Sequence, residues 1–322
     1  MKWKECQVTN QNGDGPVSRS SHGVSIIGDT LYLWGGEHEA RTPVDTNIWA
    51  LDLSEENSME WRNVCSQGEP PSPRFGHSQC AVGGNVYVFG GRAGTAIDEQ
   101  LMDDLHKWDP QAATWSLVPT RGGSAPCPRS YHSMVAPPGS SCFYVFGGCS
   151  QQGRLADLHR FDTETGVWTQ LQMGPMEGRG GTPVVATPTG HIYVVGGFAG
   201  REMADIHAYS LQTNTWTTCE QLEVACSVAV AGCVEGVLAV VGGELEPSAR
   251  GHAGAGSFSN RAITLTELEG KVKMEETWPG PSPGRGWSAG GVWRGNKMVV
   301  VGGLTGDDAN PVRLKDVWIG GL

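Results

Sequence analysis

A glycine doublet recurs six times along this chain, each time at the end of a short apolar run. Leu31 to Trp34 leads into Gly35-Gly36, Val86 to Phe89 into Gly90-Gly91, and Phe143 to Phe146 into Gly147-Gly148. Ile192 to Val195 leads into Gly196-Gly197, Val237 to Val241 into Gly242-Gly243, and Met298 to Val301 into Gly302-Gly303. Successive doublets lie 46 to 60 residues apart. Self-similarity at such a period is the mark of a propeller or a solenoid. Each run is apolar on both parities, as in a strand buried on both faces. The doublet at its end permits positive φ, or the close approach of a neighbouring backbone.

The rest of the repeat follows in register. A second strand comes after each doublet, such as Ile48 to Asp52, His106 to Asp109, His159 to Asp162 and His207 to Ser210. A Trp-bearing strand follows it, at Trp61, Trp115, Trp168, Trp216 and Trp278. Upstream stand Arg19, Arg74, Arg129, Arg179 and Arg285, each 16 to 18 residues before its doublet, with Ala225 at the corresponding place in the fifth repeat. Four strands per unit and six units predict an all-β, six-bladed propeller occupying residues 1–322 as a single domain. The repeat is similar to the kelch pattern. The sixth unit ends at its third strand, Val317-Trp318-Ile319, while the N-terminus offers a spare Trp-bearing strand, Trp3 to Val8. The first strand is therefore expected to complete the last blade and close the ring, which removes two unpaired edges.

The net charge of −11 argues against nucleic acid, because a phosphate-binding face needs a basic excess. It leaves room for a small anion held by a few placed arginines. The nine cysteines are scattered without a CxxC pair, which reads as reduced, mostly buried thiols. The polar Met1 to Asn10 segment has no signal-peptide character, and no apolar run reaches the ~18 residues of a membrane helix. A cytoplasmic protein is expected, with nuclear entry open.

Symmetry turns the repeat into a candidate site. Glu37, Arg92, Cys149, Phe198, Glu244 and Leu304 each follow a doublet, so in a propeller they ring one mouth of the central channel. Polar groups among apolar ones in a concave mouth suit a small ligand; the alternative is six loop starts facing water. The five repeated arginines read as structural groups bonding strand-end carbonyls or loop carboxylates between blades, or else as anion clamps. His22, His77 and His132 read as blade-packing groups. The loop Ala93 to Asp104 is long and acidic, and Glu244 to Ser259 is a further long loop, taken as the first part of the link between blades 5 and 6. It carries Glu244, Glu246 and His252, a carboxylate and imidazole set of the type that holds non-haem Fe(II); the alternative is a solvated loop. No phosphate loop or HExxH is present.

Beyond the kelch pattern, Arg19-Ser20-Ser21-His22-Gly23 with Gly35-Gly36-Glu37 resembles the first blade of the specifier proteins of glucosinolate breakdown. Phe89 to Arg92, Arg129 to Met134, Arg179-Gly180-Gly181, Gly197-Phe198-Ala199, Gly243-Glu244, Gly256 to Asn260 and Arg285-Gly286-Trp287 extend the similarity to every blade. The resemblance implies Fe(II) bound through a Glu-x3-Asp-x3-His loop, acting on a sulfated aglucone in a lyase-like reaction such as nitrile formation. It places the Glu on Glu244, the His on His252 and the middle Asp on Ser248, with Glu246 as the nearby substitute. It also places an anion contact on Arg92 and pocket rings on Tyr131 and Trp287. Two functions stay open: a specifier-like protein acting on a small anionic sulfur compound, and a non-catalytic propeller that binds a protein partner at one face.

Overall fold

In a computed structural model the chain is described over residues 1–56, 58–94, 100–268 and 270–322. Residues 95–99 of the acidic loop after the second doublet lie outside them. The described strands form six sheets of four or five strands, plus two small hairpins. Blade 3 is representative: Ser133–Val135, Cys142–Ser150, Gly153–Asp162 and Val167–Gln170 pair in order as an antiparallel meander. The last blade is built from Ala289–Trp293, Lys297–Gly306 and Pro311–Gly321, and Lys2–Glu5 is its outer strand. Lys2 lies opposite Gly321 and Glu5 opposite Trp318, so the ring closes as the spare strand requires. The core fills the spaces between blades. Tyr32 and Trp34 of blade 1, for example, pack with Val86, Val88, Trp108 and Trp115 of blade 2.

The doublets serve both of the purposes a glycine can serve. Gly35 and Gly36 have φ of 65° and 97°. A Cβ on Gly35 would press on the Arg74 carbonyl of blade 2, and one on Gly36 on the Ser20 carbonyl. With no side chain there, the Gly36 amide reaches that same Arg74 carbonyl at 2.9 Å. The corresponding bonds run Gly91 to Arg129, Gly148 to Arg179, Gly197 to Cys226, Gly243 to Arg285 and Gly303 to Arg19. Cys226, not Ala225, therefore holds the fifth-blade position of the repeated arginine; the backbone register, offset by one residue from the sequence alignment, decides it.

A second belt of bonds lies nearer the axis. Ser21 donates its amide to Trp287, Gly76 to Ser21, Tyr131 to Gly76, Gly181 to Tyr131, Val228 to Gly181 and Trp287 to Val228, at 2.6–3.0 Å. The six residues form a closed collar, and all have φ between 49° and 61°. Only two of them are glycine. A β-branched residue such as Val228 is strained in that region.

The repeated arginines act inside a blade through their side chains and between blades through their backbone. Arg129 donates from Nη1 to the Gly147 carbonyl at 2.9 Å, and its fork grips Asp157 at 2.7 and 2.8 Å. His159 Nε2 lies 2.9 Å from the same carboxylate. Asp104 with Arg74 and His106, and Asp205 with Arg179 and His207, repeat the clasp. Arg285 grips Asp316, which also accepts from the Trp318 indole. In blade 1 the grip is looser, with Arg19 3.4 Å from Asp45. The expected side-chain bridges between blades are thus corrected to contacts within each blade. His77 and His132 do pack across blades, edge-on to Trp34 and Phe89.

Burial works against ionisation of Asp157, but hydrogen bonds from Arg129 and His159 outweigh it, and the carboxyl stays well below the usual range. Asp104 and Asp205 follow the same balance. A carboxylate with a depressed folded pKa stabilises the fold above its unfolded value of about 3.9 and loses that contribution as pH falls toward the folded value. The urea midpoint is expected to drop as pH is lowered from about 5 toward 3. At neutral pH, Asp157→Ala leaves the buried Arg129 without its counter-charge and is expected to cost about 3–5 kcal/mol. Asp45→Ala, at the looser clasp, is expected to cost less than half as much. Equal losses in urea denaturation, or a midpoint indifferent to acid, contradict this account.

Candidate functional site

The collar narrows the channel, and the cavity above it is the mouth expected from the repeat. All six post-doublet residues line it: Glu37, Arg92, Cys149, Phe198, Glu244 and Leu304. The reason is local. Each is held in a two-way backbone bridge to its blade's entering segment, as Glu37 is to Ser20 and Glu244 to Ser227, and so is fixed at the rim. The cavity is about 400 Å³, within the range of small-molecule sites. Tyr131 and Trp287 form part of its floor and touch at 5.4 Å between ring centroids.

The mouth is electrically divided. Arg41, Arg92 and Arg154, from blades 1 to 3, all line it. Arg154 stacks over the Phe198 ring at 4.8 Å. Glu37 is buried, accepts from the Arg41 amide at 2.5 Å and faces Arg313 at 3.8 Å. Burial raises its carboxyl pKa, while Arg313 and these hydrogen bonds pull it back. Burial pushes Glu244 up to about 7, against the amide of Ser248, the indole of Trp287 and the amide of Gly256. Glu202, on blade 4, is also pushed up to about 7 by burial, with the nearby Glu244 adding to the rise.

The loop after the fifth doublet crosses the mouth. It lies within blade 5, between its second strand, Val237–Val241, and its third, Arg261–Leu268. Its expected place in the link between blades is corrected by the pairing of Arg261–Leu268 with both neighbours. Nor is it structureless: Glu244–Glu246 pairs with Ser257–Phe258, and Gly251–Ala253 makes one 3-10 turn. The turn lays the His252 imidazole on Tyr131, stacked at 5.1 Å and 17°, and edge-on to Trp287 at 5.0 Å. Burial, then the charges of Arg41, Arg92 and Arg313, lower its pKa to about 4. Asp308, in the blade 6 turn, ties the loop down. It accepts from the Ser248 hydroxyl and from the Ala249 amide at 3.1 Å, and its carbonyl accepts from Arg250 at 2.5 Å.

Comparison with known proteins agrees with this geometry. The family described as the KLHDC2/KLHL20/DRC7 Kelch-repeats domain matches residues 1–142 and 95–243. The chain belongs to that kelch-repeat family. The kelch protein is 29% identical over 313 residues to an N-(sulfonatooxy)prop-2-enimidothioate sulfolyase from Thlaspi arvense, across 88% of this chain and 86% of that protein. It is 31% identical over 225 residues to Kelch domain-containing protein 3 from Bos taurus, across 64% of this chain and 55% of that protein. The solved structure of YjhT superposes with a TM-score of 0.74 at 20% identity over 94% of both chains, a likeness of fold. No helix among the described residues is long and apolar enough to cross a membrane.

Of the site residues expected in the kelch protein, Arg92, Tyr131, Trp287, Glu244 and His252 all line one cavity. Glu246 does not; it is exposed on the hairpin, two residues past the inward Glu244 and across a register irregularity. Among the described residues no three His, Cys, Asp or Glu side chains come together as metal ligands. Ser248 spends its hydroxyl on Asp308, and the His252 ring lies against two aromatic faces. Sequence reasoning missed Arg41, Arg154, Glu202 and Asp308. Arg41 and Asp308 sit in inserts whose return over the mouth no local pattern signals.

Glu202 gives the site a pH signature. A carboxyl with a raised folded pKa leaves stability intact below its unfolded value of ~4.5 and costs stability as pH rises through about 7. Glu202→Gln has no such charge to form. Relative to the parent it is expected to gain on the order of 1 kcal/mol between pH 5.5 and 8.5, after allowance for solvent screening. Thermal unfolding across that range measures the difference; a pH-independent offset contradicts the assignment.

Proposed function

We propose that this kelch propeller binds a small organic anion at its mouth and acts on it as a sulfolyase-like protein. The observation that carries the reading is the convergence of Arg41, Arg92 and Arg154 with Tyr131, Trp287 and Phe198 in one cavity. Guanidinium groups suit the oxyanions of a sulfonatooxy group, and rings suit an apolar body. The name of the Thlaspi arvense relative states just such a sulfonatooxy compound as that protein's substrate. In a sulfolyase reaction that forms a nitrile here, the N–O bond would break with sulfate keeping the electron pair, while the pair of the adjacent C–S bond would move between carbon and nitrogen to complete the triple bond and release the thiolate sulfur as neutral sulfur. The positive charge of the rim arginines, fixed before reaction, would stabilise the developing dianion. Tyr131 and Trp287 would hold the apolar part and keep water from it.

Fe(II) enters no step of this reading, because the described residues do not assemble its ligands. Purified protein is expected to carry far less than one iron per chain by elemental analysis. Stoichiometric iron lost in Glu244→Ala and His252→Ala would restore the iron-dependent alternative.

Calorimetric titration with methyl sulfate and phenyl sulfate at low salt tests the binding itself. Phenyl sulfate is expected to bind more tightly, and Arg92→Ala to weaken it by about tenfold or more, on the order of 1.4 kcal/mol. The second reading, a protein-binding propeller, is favoured by the two rim hairpins, Glu37–Glu39 with Thr42–Pro43 and Glu244–Glu246 with Ser257–Phe258. Absence of anion binding, with a partner protein captured in a manner sensitive to those hairpins, would select it.

A further inference from the structure

The imidazole of His252 sits where a ligand ring would sit. It lies nearly parallel to the Tyr131 ring and meets the face-edge geometry of Trp287, which is how an aromatic ligand is held. Arg41, Arg92 and Arg154 line the same cavity, which suits a ring attached to an anion. The segment that delivers His252 is one 3-10 turn with exposed neighbours, Gly251 and Ala253. Its ties to blade 6 run through a single residue, Asp308, by way of Ser248, Ala249 and Arg250. Below the ring, Tyr131, Val228 and Trp287 also border a second small cavity on the axis, so the seat is a floor between two spaces.

We infer that His252 is a built-in, displaceable occupant of an aromatic subsite, and that the group it holds out is the planar ring of an organic anion. The ring would stack on Tyr131 beside Trp287, and its anionic substituent would meet Arg41 and Arg92. Asp308 acts as the latch that sets how often the strap is closed. The inference rests on the anion-binding reading above. It goes further in naming the shape of the ligand and the internal competitor. Self-occupancy lowers apparent affinity by the fraction of time the seat is open, so removing the competitor raises affinity.

The test uses full-length protein with phenyl sulfate and cyclohexyl sulfate as probes, and with His252→Ala and Asp308→Ala as variants. Calorimetry gives affinity, and Trp fluorescence in stopped flow gives association rate. His252→Ala is expected to bind phenyl sulfate about tenfold more tightly than the parent, and cyclohexyl sulfate less than threefold more tightly. Asp308→Ala keeps the imidazole and is expected to bind phenyl sulfate at least about threefold faster. If phenyl sulfate binds the parent but His252→Ala binds it no better, the imidazole is not a competitor and the inference falls while the anion reading stands. An equal gain for the cyclohexyl ester removes the planar ring from the assignment. An unchanged association rate in Asp308→Ala removes the latch. Failure of the parent and both variants to bind either ester overturns the anion reading together with the inference.

Discussion

Six backbone amides, each given to the carbonyl of the neighbouring blade, hold this molecule in a circle. Because the bonds close on themselves, no blade can shift along the axis without breaking a bond at each side. The geometry demands a left-handed residue in every blade, and four of the six are not glycine. That conformation costs of order 1 kcal/mol or more per residue, and the cost is sustained because a buried amide left unpaired would cost at least as much. The same collar sets the width of the channel and turns Tyr131, Val228 and Trp287 into its floor. The strain and the candidate site therefore occupy the same residues, which is where strain is expected to persist.

Around the collar, the arginine clasps lock each doublet to its own blade. The guanidinium bonds a doublet carbonyl and an Asp on or just before the third strand, so it ties the doublet to that strand. Blade 5 is the exception. Cys226 takes the arginine's place, and no clasp spans Val237–Val241 and Arg261–Leu268. The blade without a clasp carries a long connecting loop that crosses the mouth. There a tie comes from outside the blade, from Asp308, so the loop over the cavity is held by blade 6 as well as by its own hairpin.

Much of the fold could be read in advance because repetition encodes it. The doublets, the Trp strands and the spare N-terminal strand each fix a piece of topology without reference to distant contacts. The mouth was legible for the same reason: Glu37, Arg92, Cys149, Phe198, Glu244 and Leu304 share one position in six copies. What repetition cannot encode was misread or missed. Cys226 was displaced by one residue because only hydrogen-bond register distinguishes it from Ala225. Arg41 and Asp308 lie in non-repeated inserts, and Arg154 lies where the second and third strands of blade 3 run on past the doublet, so each side chain's destination depends on how a hairpin folds back. The path of the loop carrying His252 was invisible because aromatic stacking, not sequence periodicity, decides where the ring comes to rest.

The chain carries a net negative charge, while Arg41, Arg92 and Arg154 converge at its mouth. At −11 overall, the surface repels an extended polyanion, whose charges would spread over many Debye lengths of about 8–10 Å. A small anion presents its whole charge within one such length and responds to the local field alone. At the rim stand Arg41, Arg92 and Arg154, while Glu37 faces Arg313 and burial raises the Glu244 carboxyl to about 7. Under the proposed anion reading, the propeller would admit by size what its net charge would refuse, and the rings beneath the arginines would select among small anions by the shape of their apolar part.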